Sequence, residues 1–158
     1  MSGDISSGPL DRLAELGLTL PPVAAPLASY VPAVRAGQLV FTSGQLPLVD
    51  GALLATGLVG GAGPTPEAAA GLAARCALNG LAAVHALVGL PAGIRVVKVT
   101  GFVASAPGFT GQPAVIDGAS RLLGSVFGDD GRHARSAVGV AALPLDAPVE
   151  VELVLALP

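Results

Sequence analysis

The segment that closes the chain alternates between apolar and acidic side chains over residues 149–153, and its last residues are apolar. Residues 149–156 read VEVELVLA, and successive side chains of an extended strand point to opposite faces of a sheet. Glu150 and Glu152 therefore share one face, and the other face is entirely apolar: Val149, Val151, Leu153 and Leu155. Such a face has to be covered by another layer, which predicts a sheet with helices packed on one side. On the second face the glutamates are either solvated or ion-paired groups, or members of a site.

The chain contains more apolar residues than a sheet with only one covered face is expected to bury. Hydrophobic residues make up 52% of the 158 residues and charged residues only 12%. A chain of this length is expected to form one domain with one core. The second sheet face should then also be hidden, which favours self-association.

Turn and capping signals give an α+β order, ββ(β)αβαββ, with two helices on one face of one sheet. Thr65-Pro66-Glu67 is a strong helix start, because it supplies a capping hydroxyl, a proline at the first helical position and an acid. In chain order the expected elements are a helix at 9–16, strands at 30–35 and 39–42, a turn at Gly51, a helix from 66 to about 88, a strand at 95–104, a helix at 115–127 and two closing strands. The glycine-rich residues 57–63 are expected to form a mobile loop. Residues 1–27 are predicted to be an N-terminal extension with a short helix and a Pro-rich tether, and residues 28–158 the main domain.

Several functional classes are disfavoured by composition. The chain has 8 Lys and Arg against 11 Asp and Glu and no basic run, so no nucleic-acid partner is expected. Its long uncharged stretches are broken by prolines or polar residues, so no membrane association is expected either. One cysteine and two histidines give no disulfide and no zinc cage, so no metal is expected. A reducing, cytoplasmic location is the default.

Arg135 is the cation with the most informative surroundings. It shares a predicted strand face with Ala137, Gly139 and Ala141, which leave room beside a planar guanidinium. Such an arginine can bind a carboxylate through two parallel hydrogen bonds, or it can form a structural ion pair with an Asp or Glu. Spacing alone leaves both interpretations open. His133 lies in a polar turn two residues earlier, and Cys76 is expected to be a buried, inert thiol.

Four segments between residues 28 and 157 together resemble the YjgF/RidA (Rid) family, formerly the endoribonuclease L-PSP family. They are SYVPAV with Tyr30, LVFTSGQLP with Ser43-Gly44-Gln45, HARSAVGVAALP with Arg135, and PVEVEL with Glu150. The resemblance implies a fold like that of chorismate mutase of the Bacillus type. It also implies a homotrimer whose sheets line a central barrel, with small-molecule sites in clefts between subunits.

The resemblance further implies an activity and a set of site residues. Family deaminases hydrolyse reactive enamines and imines, such as 2-aminoacrylate, to 2-oxo acids and ammonia without a cofactor. By this resemblance Arg135 would bind a small carboxylate substrate and Glu150 would act on the attacking water. The pocket would be lined by Tyr30, Ser43 and Gly44.

This sequence departs from the family pattern at several site positions. Ala137 stands where many deaminases have a cysteine, Gly139 stands where many have a glutamate, and Asp117 or Ser120 replaces an asparagine on the helix at 115–127. GRHARSAVGV therefore indicates a distinct branch. Two alternatives to the deaminase are a non-catalytic trimer that binds small carboxylates and, against the charge pattern, an endoribonuclease or translation inhibitor.

The two closing strands are expected to form a hairpin about Leu145-Asp146. That register would place Glu150 opposite residue 141, about six residues or roughly 20 Å from Arg135. The two side chains would then reach one small substrate only if a neighbouring subunit supplies one of them.

Overall fold

The computed structural model describes residues 8–23, 25 and 28–158. Parts of the predicted extension and tether, namely residues 1–7, 24, 26 and 27, lie outside this described part. The helices and strands are α1 (Pro9–Glu15), β1 (Ala33–Ala36), β2 (Leu39–Thr42), β3 (Leu48–Val49), β4 (Ala52–Leu53), α2 (Pro66–Val88), β5 (Arg95–Ala104), α3 (Gln112–Phe127), β6 (Ala134–Val140) and β7 (Val149–Ala156). Short 3₁₀ turns occupy Gly128–Gly131 and Pro144–Asp146.

The described strands form one mixed sheet and one small hairpin. The sheet has the order β1-β2-β7-β5-β6, and β3 and β4 form the hairpin. All neighbours in the sheet are antiparallel except β5 and β6, which are parallel. The predicted α+β class and the order of elements are confirmed.

The predicted hairpin between the two closing strands is wrong. β5 lies between β6 and β7, and it pairs with β6 on one side and with β7 on the other. The reason is topological: α3 carries the chain from β5 back along the sheet, and a helical crossover of this kind produces a parallel neighbour. The turn at Pro144–Asp146 then takes the chain past β5 to its other side.

Helices α2 and α3 cover one face of the sheet, as the alternation in β7 predicts. The helix-facing side chains of β7 are at most 1% exposed: Val149, Val151, Leu153 and Leu155. Thr65 caps α2 by accepting a hydrogen bond from the Ala68 amide, at 3.2 Å. By length and composition α2 could cross a membrane, but 61% of its most apolar 18-residue stretch is buried inside the protein. The core helices of soluble proteins can have the same length and composition.

The other sheet face is largely uncovered in the single chain. It carries the expected glutamates, and four large apolar side chains that are 37–50% exposed: Val34, Leu39, Phe41 and Val138. We call this surface the open sheet face.

The glycine-rich loop at residues 57–63 is anchored at Val59, while its residues 60–62 are exposed. Val59 is fully buried, donates its amide to the Ala104 carbonyl at 2.8 Å and accepts from the Ala106 amide at 2.9 Å. A Cβ on Gly57 would lie only 3.0 Å from the Cα of Gly63. The glycines therefore allow two backbone segments to approach closely.

Candidate functional site

Arg135 lies on the side of β6 that faces α3, and a carboxylate on that helix holds one end of its guanidinium. Its Nη1 donates to Asp117 Oδ1 at 2.6 Å and to Ser120 Oγ at 3.2 Å. Among the residues that the structure describes, Nε and Nη2 have no hydrogen-bond partner. The structural ion pair is thus present, and it leaves a second edge of the guanidinium unused.

His133 extends this network away from Arg135. Its Nε2 lies 2.9 Å from Ser120 Oγ, and its Nδ1 lies 2.6 Å from the Gly131 carbonyl oxygen. Because a carbonyl can only accept, Nδ1 carries the proton and Nε2 accepts from the Ser120 hydroxyl in the neutral ring. Ser120 Oγ is then free to accept from Arg135, so His133 sets the orientation of a hydroxyl that contacts the arginine.

The two candidates for the missing family asparagine both lie at the arginine. Asp117 and Ser120 are three residues apart on α3, so they share one helix face. An acid and a hydroxyl therefore both contact Arg135, and they come from the helix on which the resemblance expects an asparagine. Arg121 also approaches Asp117, at 3.9 Å, from an exposed position.

The small residues on β6 leave space that Gln112 fills, and this contact was not foreseen from sequence. A Cβ on Gly139 would lie 2.6 Å from Gln112 Nε2 and 3.1 Å from Ser105 Oγ. Gln112 donates to Ser105 Oγ at 3.1 Å and to the Phe109 carbonyl at 2.8 Å. Ala137, two residues before Gly139, is partly buried against the core. A larger side chain at position 139 would displace this glutamine.

Ser43 and Gly44 form an irregular step between β2 and β7. Phe41 pairs with Val154 and Gln45 with Val151, so one extra residue is accommodated on the β2 side, as in a β-bulge. The Ser43 hydroxyl donates to the Val31 carbonyl at 2.6 Å. The bulge therefore attaches to the segment that contains Tyr30, which is 46% exposed.

Glu150 lies directly over Gly44. A Cβ at Gly44 would collide with the Glu150 carboxylate, so only glycine leaves room for the acid there. No described residue pairs with this carboxylate through a hydrogen bond or a salt bridge. Burial, and secondly the negative charge of Glu152, raise the pKa of Glu150 above its ordinary value.

The candidate residues thus form two clusters within one chain. One cluster is built around Arg135, and the other contains Glu150, Gly44, Ser43 and Tyr30. Arg135 is level with Val99 on β5 and Glu150 with Phe102, which gives a backbone separation of about 14 Å across two strand spacings.

The two clusters also lie on opposite faces of the sheet. Val99 is buried beneath the helices, whereas Glu150 emerges on the open sheet face. Sequence parity placed the glutamates on the face away from the helices, whereas Arg135 lies on the face towards α3 in the single chain. β6 is a parallel neighbour of β5 rather than the hairpin partner of β7, and this sets which of its residues face α3.

Cys76 is buried, as expected. It is 0% exposed, and its Sγ lies 3.8 Å from the Val149 carbonyl. Burial raises the pKa of this thiol well above its usual value, and the charge of Glu150 adds to the effect. A thiol in this state is not a nucleophile. In the described part of the chain, no group of three or more His, Cys, Asp or Glu residues could hold a metal ion.

Relatives of known structure share this fold. The Atu1372 protein of Agrobacterium tumefaciens is 46% identical and superposes with a TM-score of 0.86 over 95% of this chain and 92% of its own. TdcF of Escherichia coli, solved with bound serine, is 26% identical, with a TM-score of 0.57 over 88% of this chain and 94% of its own.

Sequence comparison extends the likeness along almost the whole chain. Protein TCP17 of Trypanosoma cruzi is 46% identical over 148 residues, which are 92% of each chain. The family described as Endoribonuclease L-PSP matches residues 22–157, which include all the candidate site residues. The chain therefore belongs to the Endoribonuclease L-PSP family, the family of YjgF.

Proposed function

We propose that this protein is a cofactor-free deaminase that hydrolyses small 2-imino acids, or their enamine tautomers, to 2-oxo acids and ammonia. One observation carries the proposal: the chain holds a guanidinium with a free edge and a carboxyl with a raised pKa, neither of which is paired off completely. These are the two groups that such a hydrolysis needs. The serine bound to the related TdcF is a small carboxylate of similar size.

Arg135 is the proposed carboxylate-binding residue. Asp117 and Ser120 hold Nη1, so the Nε–Nη2 edge can donate two parallel hydrogen bonds to the substrate carboxylate. The guanidinium side chain is 24% exposed, which leaves this edge accessible while limiting competition from water.

Glu150 is the proposed general base and acid. A carboxyl with a raised pKa is closer to the pH at which it must both accept and return a proton. Water attacks the carbon of the iminium, the protonated C=N group, while Glu150 takes a proton from the water, which gives a neutral carbinolamine. That proton then goes from Glu150 to the amine nitrogen, the C–N bond breaks, and ammonia leaves. The ionised Glu150 accepts the hydroxyl proton, which completes the 2-oxo acid, and releases it to solvent. The imine carbon is already electrophilic, so positioning and proton transfer are sufficient.

The active unit is proposed to be a homotrimer with the chorismate-mutase-like arrangement. Within one chain Arg135 and Glu150 lie on opposite sheet faces, so one small substrate cannot contact both. The open sheet face supplies an apolar surface for subunits to bury, in which Val34 and Phe41 are neighbours. A cleft between subunits would then combine Arg135 of one chain with Glu150 of the next.

Complementation between two inactive variants tests this arrangement. Arg135→Ala and Glu150→Gln proteins are unfolded, mixed and refolded together, and ammonia release is measured from freshly generated 2-imino acids. Mixed trimers contain some pockets with both native residues, so activity should partly return. Light scattering should give about three times 15.3 kDa for the parent. If subunits exchange and no activity returns, the two residues do not share a site.

The same protein preparations distinguish the deaminase from two other functions. A trimer that only binds carboxylates would show Arg135-dependent binding without ammonia release. An endoribonuclease, as the family's description suggests, would cleave RNA, and the excess of acidic over basic residues disfavours the required phosphate contacts. RNA cleavage that survives purification and is lost in Arg135→Ala would favour that function instead.

A further inference from the structure

One cavity in the described part of the chain shares no residue with the clusters around Arg135 and Glu150. Its volume is about 410 Å³, within the usual range for small-molecule sites. One side is a face of α2 and another is the β3–β4 hairpin. The described residues of the tether close it. The lining residues are Pro21, Pro22, Val23, Ala25, Leu48, Asp50, Gly51, Arg75 and Asn79.

Asn79 presents an acceptor that nothing in the described chain uses. The residue is only 6% exposed, and its Nδ2 donates to the Leu46 carbonyl at 3.0 Å and to the Leu48 carbonyl at 3.1 Å. Both amide hydrogens are thereby assigned, which fixes the amide orientation and leaves Oδ1 without a partner. An unpaired and nearly buried acceptor costs free energy, so a ligand in the cavity with an N–H group would gain affinity by donating to it.

Arg75 lies one helical turn before Asn79 on the same face of α2. Its Nε donates to the Leu48 carbonyl at 3.0 Å, which fixes one edge of the guanidinium against the hairpin. Within the described residues, its two terminal nitrogens have no hydrogen-bond partner and no carboxylate within salt-bridge distance. They can therefore bind an anionic group, preferably a carboxylate in forked geometry.

The remaining walls restrict the ligand further. The tether residues Pro21, Pro22 and Val23 offer apolar contact and no side-chain polar group. Asp50 brings a negative charge to the same cavity, which disfavours a second anionic group on the ligand.

We propose that this cavity is a second binding site, for a small monocarboxylate that carries an N–H donor and a short apolar side chain, such as an N-acylated amino acid. The carboxylate binds Arg75, the N–H donates to Asn79 Oδ1, and the apolar part contacts the tether. The site does not depend on the deaminase proposal, because neither Arg135 nor Glu150 takes part.

Binding of N-acetyl-L-alanine, followed by NMR on the full ¹⁵N-labelled chain, tests the site. The Asn79 side-chain amide and the Gly51 backbone amide should shift on titration. The methyl ester lacks the negative charge and the N-methyl analogue lacks the donor, so each should bind about tenfold more weakly or worse. Equal binding of all three compounds would refute the polar recognition.

Matched variants locate the ligand. Arg75→Lys should weaken binding about tenfold, while Arg95→Lys, an exposed arginine outside the cavity, should not change it. Ala25→Trp fills the cavity from the tether side, leaves both polar groups in place and should abolish binding. Arg135→Ala should retain it. Absence of binding, or binding that is lost in Arg135→Ala and kept in Ala25→Trp, overturns the proposal.

Discussion

Gly44→Ala should displace the Glu150 carboxyl without destabilising the fold. Gly44 does not have a positive φ, so alanine is compatible with its backbone. The added Cβ would lie 2.7 Å from the Glu150 carboxyl carbon, whereas ordinary van der Waals contact begins at 3.4 Å. Glu150 Oε1 would be nearer still, so the carboxyl must move by more than about 0.7 Å, and it can do so because it is the end of a flexible side chain. The midpoint of thermal unfolding should change little.

The effect on catalysis should be much larger than the effect on stability. A misplacement of about 1 Å can cost roughly 10²-fold in rate, so we expect a loss of roughly 10- to 100-fold in kcat/KM for imine hydrolysis. Carboxylate binding at Arg135 should be unaffected, which calorimetry with a non-reactive 2-oxo acid can check.

Gly71→Ala provides the matched control. Gly71 is exposed on α2, and a Cβ there would meet nothing within 4 Å. This variant should keep full activity and gain roughly 0.5–1 kcal/mol of stability, because glycine is unfavourable inside a helix. If Gly44→Ala keeps parental kcat/KM while Gly71→Ala behaves as expected, the placement of Glu150 over Gly44 has no part in the reaction.

Three further variants test the contacts of Arg135, the half-buried acid Glu150 and the packing of α2 against α3. Arg135→Lys should lose roughly 1.5–3 kcal/mol of carboxylate affinity in calorimetry, because an ammonium cannot bind Asp117 and a substrate carboxylate in the same forked geometry; unchanged affinity would leave the arginine with a structural role only. Glu150→Gln should have a higher free energy of unfolding than the parent at pH values above the raised pKa of Glu150, and an equal one below the ordinary Glu pKa. The reason is that ionisation of this acid disfavours the fold as pH rises. If denaturant titrations at neutral pH show that the variant is less stable than the parent, a cation pairs with Glu150 in the assembled protein. Gly118→Ala should cost about 3 kcal/mol, or about 6–12 °C in Tm, because its Cβ would press on the backbone of Ala70 and force α2 and α3 apart; a loss below about 1 kcal/mol would show that the two helices separate easily.

Local sequence signals determined most of the fold. The capping hydroxyl and the proline at Thr65-Pro66 set the start of α2 at the residue where the structure begins it. The bounds predicted for β2 and β5 are also those observed. Each of these signals depends on a few neighbouring residues, and the alternation in β7 correctly assigned both sheet faces because side-chain direction follows from strand geometry alone.

Local signals could not determine which strands are neighbours. The turn at residues 144–146 looks like a hairpin turn, yet β5 occupies the place between β6 and β7. Strand order depends on how α3 packs on the sheet, and that packing joins residues far apart in sequence. For the same reason the anchoring of the glycine-rich loop could not be foreseen, since the partners that hold Val59 are about 45 residues away in the chain.

The sequence by itself determined the chemistry of the site, and the tertiary structure decided its geometry. Residue type singled out Arg135 and Glu150, because an unusual charge among apolar neighbours is visible without coordinates, and the family resemblance pointed to the two candidates on α3. Only the folded chain shows that Asp117 and Ser120 both hold the arginine, that Gly44 makes room for Glu150, and that the two clusters face opposite ways. The physical reason is that residue type fixes what a group can do, whereas its partners and direction are set by the packing of distant segments.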